Sequence, residues 1–134
     1  VSYYTGKYDE RDIYDLILEG ADLTWATGQW EIHGEYSKAL IENPEPFQTG
    51  KSEGYSIWMA MGFRSFQPIG SFQKVKVDDP YRGDGLLRDL SRWTMGLRYV
   101  LGPTFFIKAE YVWNKEKEPI LKNDQFQVQA ALSF

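Results

Sequence analysis

The chain contains no cysteine, a single histidine and no long run of apolar residues. Without cysteine it has no disulfide framework and no thiol chemistry. A transmembrane helix needs about 20 consecutive apolar residues, and no segment here approaches that length. Lysine and arginine do not cluster, and the net charge of −4 gives no sign of a nucleic-acid partner. No nucleophile elbow, phosphate loop or metal motif is present, so we predict neither enzyme activity nor a cofactor or metal.

Aromatic residues are abundant instead, at 16% of the 134 residues, and they recur in segments that alternate apolar and polar positions. Side chains alternate between the two faces of a strand, so this pattern predicts strands that are apolar on one face. No segment shows a helical period of useful length. The length allows one domain. The chain is therefore predicted to be all-β and antiparallel.

Seven strands are predicted from the alternation, with residues 2–5 as a candidate eighth. They cover residues 13–27, 29–42, 54–65, 71–77, 92–101, 104–114 and 124–134. Short turns are expected at 27–28, 68–70 and 102–103, and long loops at 43–52, 78–91 and 115–123. All short links then fall at one end of the sheet and all long ones at the other, as in transmembrane barrels. This parity depends on the weak strand at 71–77.

Aromatic residues gather near both ends of the apolar faces. The first predicted group comprises Trp25, Trp30, Phe63, Phe105 and Phe134, and the second comprises Tyr36, Tyr55, Trp93, Trp113 and Phe126. Amphipathic rings favour the boundary between lipid and water, so these groups are predicted to be two lipid-facing belts. A β-sandwich also alternates, but it does not account for belts.

Charged residues occupy the opposite faces, which a barrel would turn toward its lumen. These are Asp22, Glu31, His33, Glu35, Arg64, Lys74, Lys76, Arg92, Arg98, Lys108 and Glu110. The later strands are net basic and would favour anions. The alternative is that the charges pair with one another or simply solvate the wall. Because Glu31 and Glu35 flank His33 at two residues' distance, the three could also bind a metal or exchange protons, or form only a polar stripe.

Three segments resemble the C-terminal part of Gram-negative porins, especially the phosphate-selective O/P type. They are GADLTWATGQWEIHGEYSKA (20–39), RWTMGLRYVLGPTFFIKAEYVWN (92–114) and DQFQVQAALSF (124–134), together under half of the chain. The resemblance implies the closing portion of a barrel of about 16–18 strands in the bacterial outer membrane. It further implies passive diffusion of small hydrophilic solutes or ions, with a preference for anions.

The same resemblance implies particular partners. Phe126, Val128, Leu132 and Phe134 would form the C-terminal signal read by the barrel-assembly machinery. Outer-membrane lipid would surround the apolar face, and the missing strands would come from a longer precursor, another chain or a homotrimeric assembly. Two alternatives remain: a complete eight-stranded outer-membrane barrel with a structural or adhesive role, and a soluble β-sandwich that binds carbohydrate through its aromatics.

Overall fold

A computed structural model of the chain describes residues 1–11, 13–81, 89–116 and 123–132. Eight antiparallel strands form one sheet in chain order. They are β1 (Ser2–Lys7), β2 (Asp15–Thr27), β3 (Trp30–Ile41), β4 (Gly50–Met61), β5 (Phe66–Asp78), β6 (Asp89–Val100), β7 (Phe105–Glu116) and β8 (Gln125–Leu132). The described residues contain no helix long and apolar enough to cross a membrane. The all-β, antiparallel prediction and the candidate eighth strand are confirmed.

The connections alternate in length along the chain. Short ones at 28–29, 62–65 and 101–104 lie at one end of the sheet. The strand ends that flank the longer intervals 8–14, 42–49, 79–88 and 117–124 lie at the other end. In the first hairpin Thr27 pairs with Trp30, and Gly28 takes a φ of +55°, which glycine adopts without steric cost. The predicted parity of the connections is confirmed.

The turn predicted at 68–70 is wrong. Pro68, Ile69 and Gly70 lie inside β5, and Ile69 is buried and paired with Ala60. The β4–β5 ladder ends at that pair, so Pro68 lies in the first residues of its strand, where proline is tolerated. The chain reverses instead at 62–65, where Phe63 and Phe66 exchange two backbone hydrogen bonds of 2.7 and 2.9 Å.

This earlier turn moves two predicted sites off the strands. Phe63 lies next to the reversal rather than on a strand, and Arg64 lies in the turn itself with a φ of 55°. Arg64 therefore does not lie on the polar face of a strand, contrary to the prediction. Its guanidinium lies 5.7 Å from the Phe63 ring centroid.

Directly opposed residues of neighbouring strands share a face, so the ladders define two faces. The apolar face carries Leu23, Gly34, Ile57, Phe72 and Trp93 in one row across β2–β6. The polar face carries Asp22, Glu35, Ser56, Gln73 and Arg92 in one row across the same strands.

The polar face is the more covered of the two. The buried hydrophobic residues of the described chain, Ala60 (2% exposed), Ile69 and Val112, all lie on it. On the apolar face Leu23 and Met95 are 72% and 64% exposed. The sheet is thus inverted relative to a soluble one, whose apolar face packs on a core.

Lys74 and Lys76 were predicted on the polar face, and this is wrong. Lys74 is directly opposed to Tyr55 and Lys76 to Glu53, so both lie on the apolar face near the long connections. Because the side-chain period of a strand is two, a phase error of one residue in β5 moves each of its side chains to the other face.

Two alternative architectures do not match the sheet. A sandwich needs two sheets, whereas all eight described strands belong to one. A closed eight-stranded barrel needs β1 to pair with β8. In the described ranges β1 pairs with β2 alone and β8 with β7 alone, so the sheet is open.

Candidate functional site

Two belts of aromatic side chains border the apolar face. The first belt, near the short connections, comprises Trp25, Trp30, Phe66, Tyr99 and Phe105. The second belt, toward the long connections, comprises Tyr36, Tyr55, Phe72, Trp93, Tyr111, Trp113 and Phe126. Between them lie Leu23, Ile32, Ile57, Met59, Met95, Leu97, Ala109 and Val128. Phe105 and Trp113 are eight residues apart on β7, which separates the belts by roughly 26 Å along the strand.

Five rings of the second belt contact one another in two groups. The Phe72 ring lies 5.7 Å from that of Tyr55 and 4.3 Å from that of Trp93, between ring centroids. Tyr111 and Trp113 are 4.6 Å apart. In the first belt Phe66 and Tyr99 are 4.7 Å apart. Sequence reasoning missed Phe66 and Phe72, because the turn placed at 68–70 concealed the phase of β5.

Both belts run diagonally across the hydrogen-bonded rows of the sheet. From Tyr36 on β3 to Phe126 on β8, the second belt shifts four residues toward the short connections. From Trp25 on β2 to Phe105 on β7, the first belt shifts six residues the same way. A mean shift of about one residue per strand, with a rise of about 3.3 Å and a strand spacing of about 4.8 Å, corresponds to a strand tilt of about 35°. Closed barrels have tilts of about 35–45°.

Polarity changes beyond the second belt. On the apolar face, one row of directly opposed residues alternates in sign: Glu19, Lys38, Glu53, Lys76 and Asp89. Lys38 Nζ lies 2.9 Å from Glu19 Oε2, and Lys51 Nζ lies 2.7 Å from Glu53 Oε1. The polar face carries apolar residues at this level instead, namely Leu16, Leu18, Ala39, Ile41, Val75 and Val77. A row of charged residues therefore borders the exposed apolar band beyond the second belt.

His33 is the centre of a hydrogen-bond network on the polar face. Its Nε2 lies 2.9 Å from Glu35 Oε1, and its Nδ1 lies 2.8 Å from Thr24 Oγ1. Ser56 donates to the other Glu35 oxygen at 3.4 Å. A neutral His33 protonated on Nε2 satisfies both contacts, since it donates to Glu35 and accepts from Thr24.

Both ring nitrogens of His33 have hydrogen-bond partners, and Glu31 lies on the same face of β3. Within the described ranges, no three His, Cys, Asp or Glu side chains are grouped to hold a metal ion. The polar face of β2 and β3 is acidic, because it carries Asp22, Glu31 and Glu35.

The polar face of β6 and β7 is basic, and its arginines form hydrogen bonds with uncharged partners. Arg92 Nε donates to Asn114 Oδ1 at 2.8 Å, and Arg98 Nη1 donates to Gln67 Oε1 at 3.2 Å. Lys108 instead forms an ion pair with Glu110 at 2.8 Å. Lys108 and Glu110 therefore neutralise each other, whereas the partners of Arg92 and Arg98 are uncharged.

Described residues of three long connections, 8–14, 42–49 and 79–81, contact one another. Tyr8 donates its hydroxyl to the Glu42 carbonyl at 2.7 Å, Asn43 Nδ2 donates to Asp79 Oδ1 at 2.8 Å, and the Phe47 and Tyr81 rings meet edge to face at 5.3 Å. Within 8–14, the Asp9 carboxylate accepts the backbone N–H groups of Tyr14, Ile13 and Arg11. These bonds, that from Tyr14 foremost, lower the pKa of Asp9 below its ordinary value.

The residues predicted as a C-terminal signal lie along the outer edge of the sheet. Phe126, Val128 and Leu132 of β8 lie on the apolar face and are 64–68% exposed. Phe134 lies outside the described residues. Comparison with protein-family models, curated proteins and solved structures gives no match for this chain.

Proposed function

We propose that this chain is a section of the wall of a transmembrane β-barrel in the bacterial outer membrane. The barrel would allow small hydrophilic solutes and ions to diffuse passively through a water-filled lumen. The supporting observation is the inverted sheet: its exposed face is apolar between two aromatic belts, and its covered face is polar. An exposed apolar band of this extent is unfavourable in water and favourable in lipid.

The slope of the belts supports the same proposal. Belts that follow a membrane surface cross the rows of a sheet obliquely when the strands are tilted. The tilt of about 35° obtained from the belts agrees with that of membrane barrels. Contact with another protein would require an apolar face but not two parallel, oblique belts.

Transport would need no covalent step and no cofactor. Polar side chains of the covered face would replace part of the solute's water, and their charges would bias which ions enter. Arg92 and Arg98 support an anion preference along β6, because their partners are uncharged. The acidic wall on β2–β3 opposes that preference on its own side of the lumen.

Further strands would complete the barrel. An open sheet edge cannot face lipid, because each unpaired backbone group costs several kcal/mol there. The edges at β1 and β8 therefore call for strands from a longer chain or from another chain, in a barrel of porin size. The barrel-assembly machinery would recognise the β8 segment. We also propose a homotrimer, for which the resemblance to porins is the sole basis.

Planar-bilayer recording tests the channel. The protein would be extracted from outer membranes in detergent, shown to be folded by heat-modifiable migration in gels, and added to a lipid bilayer. We expect stepwise increases in current, absent with a heat-denatured sample. A protein that stays in solution without detergent would contradict the membrane assignment. A folded, inserted protein that carries no current would contradict the channel.

A further inference from the structure

A groove opens in the apolar face at Gly34. Leu23, Tyr36, Tyr55 and Ile57 surround this position, and the space has a volume of about 310 Å³. A Cβ atom built on Gly34 would meet no atom closer than the Ser56 carbonyl oxygen at 4.0 Å, so the missing side chain leaves the space open. The volume lies at the low end of the range for small-molecule sites, about 300–1,000 Å³.

The groove lies directly beside the second belt, on its apolar side. Gly34 is in the row of Leu23 and Ile57, one row from Tyr36 and Tyr55 on the side of the short connections. A flexible hydrocarbon chain fits such a position, since its walls are apolar and its upper end reaches the two tyrosines. Tyrosine rings at this level present an apolar body to lipid and a hydroxyl to water.

Positive charge lies immediately beyond the upper end of the groove. Lys74 is directly opposed to Tyr55. Beyond the belt, the apolar face of β3–β5 carries the lysines 38, 51, 74 and 76 against two carboxylates, Glu53 and Asp78. Lys38 and Lys51 are engaged by Glu19 and Glu53, whereas Lys74 forms no ion pair within the described part of the chain. An anionic group therefore suits this end of the groove.

We propose that the Gly34 groove is a specific lipid site, with an acyl chain against Gly34 and an anionic phosphate headgroup at Lys74. The site rests on the proposed function, because it requires the apolar face to meet a bilayer. From Gly34 toward the long connections, the apolar walls of the groove are followed by Tyr36 and Tyr55 and then by Lys74. An acyl chain, a glycerol and a phosphate follow one another in the same order in a phospholipid. This site would hold one lipid more tightly than the surrounding bilayer does.

Native mass spectrometry of the folded protein tests the site, with phosphatidylglycerol and phosphatidylcholine as probes. We expect one phosphatidylglycerol to remain bound when detergent is removed, and phosphatidylcholine to be lost. Gly34→Leu fills the groove and should reduce retention about tenfold. The matched control is Gly70→Leu on the same face of β5, where a Cβ meets only Met59 Cγ at an ordinary 3.6 Å.

The headgroup contact is tested by charge removal. Lys74→Gln should reduce phosphatidylglycerol retention about fivefold and leave phosphatidylcholine retention unchanged. Lys115→Gln removes an exposed lysine from the same face of β7 and should have no effect. Since Lys74→Gln changes little packing, it keeps the test decisive even if Gly34→Leu does not fold.

Other results would overturn the site. If Gly34→Leu and Gly70→Leu retain phosphatidylglycerol equally, the groove does not bind the lipid. If Lys74→Gln has no effect on retention, Lys74 does not contact the headgroup. A wild-type protein that folds and conducts but retains neither lipid would overturn this inference and leave the channel intact. A wild-type protein that does not enter vesicles would overturn both.

Discussion

The guanidinium carbon of Arg98 lies 4.0 Å from the centroid of the Phe106 ring on the neighbouring strand. The same side chain donates from Nη1 to Gln67 Oε1 at 3.2 Å, so it is held between β5 and β7 on the polar face. Neither partner is charged. The contact fixes the position of the cation without neutralising it, as the proposed anion preference requires.

Arg98→Gln should lower the anion-to-cation permeability ratio by up to about fivefold, because a unit charge contributes about 1 kcal/mol to an ion 4 Å away in water. Reversal potentials across a bilayer in a salt gradient measure the ratio. Arg98→Lys keeps the charge and should keep most of the selectivity. Arg64→Gln, in the turn, is the control for removal of an arginine elsewhere. An unchanged reversal potential in Arg98→Gln would show that Arg98 does not face the conduction path.

Leu97 and Thr94 test the assignment of the two faces of β6. Leu97 lies on the apolar face and is 44% exposed. Leu97→Arg places a charge on the face proposed to meet lipid, which should destabilise the inserted protein by about 2–4 kcal/mol. Thr94→Arg adds the same side chain to the polar face and should cost much less. Urea titration of the folded, heat-modifiable form in vesicles measures both. Equal losses would mean that the faces are misassigned.

Alternation along the strands was enough to predict most of this sheet. The alternation is strict over 30–37 in β3 and over 92–99 in β6, and side-chain facing follows from it directly. The segment around Pro68 and Gly70 failed, because proline and glycine are turn formers locally while pairing with β4 and β6 decides the outcome. That one error put Phe63 and Arg64 on a predicted strand, which neither belongs to, and assigned Lys74 to the wrong face.

Relationships between strands were out of reach of a single sequence. The acidic and basic walls were visible as residue types, but the bonds of His33 to Thr24 and Glu35 depend on register and rotamers. The slope of the belts is likewise a property of several ladders together. The Gly34 groove arises from a missing side chain whose neighbours come from three strands, so it carries no local signal.

Gly28 should tolerate no side chain without cost. Its φ of +55° lies in the left-handed region, which costs an L-residue roughly 1–2 kcal/mol. Gly28→Ala should therefore lower the free energy of unfolding by about 1 kcal/mol, even though a Cβ there would meet no atom within 4 Å. Gly102→Ala is the matched control, because it also has open space but no positive φ. Similar losses at both sites would indicate that backbone conformation is not the cause.

The loop at 8–14 should lose order in acid. Three backbone N–H groups donate to the Asp9 carboxylate and hold its pKa below the ordinary value. The stabilisation is therefore complete above about pH 4 and is lost as the pH falls through the lowered pKa of the folded state. Hydrogen-exchange protection of the Ile13 and Tyr14 amides should be high at pH 6 and fall toward pH 3. In Asp9→Asn it should be low at both pH values.

Glu10→Gln provides the control for that experiment. It removes a neighbouring carboxylate that accepts no hydrogen bond from the described residues, so protection should follow the wild type. If Asp9→Asn protects Ile13 and Tyr14 as well as the wild type does at pH 6, the carboxylate is not what orders the loop. If the wild type keeps full protection below pH 3, either the Asp9 carboxylate has a still lower pKa or the Tyr8 bond to Glu42 is sufficient to hold the segment. Tyr8→Phe, which removes that bond alone, distinguishes these two explanations.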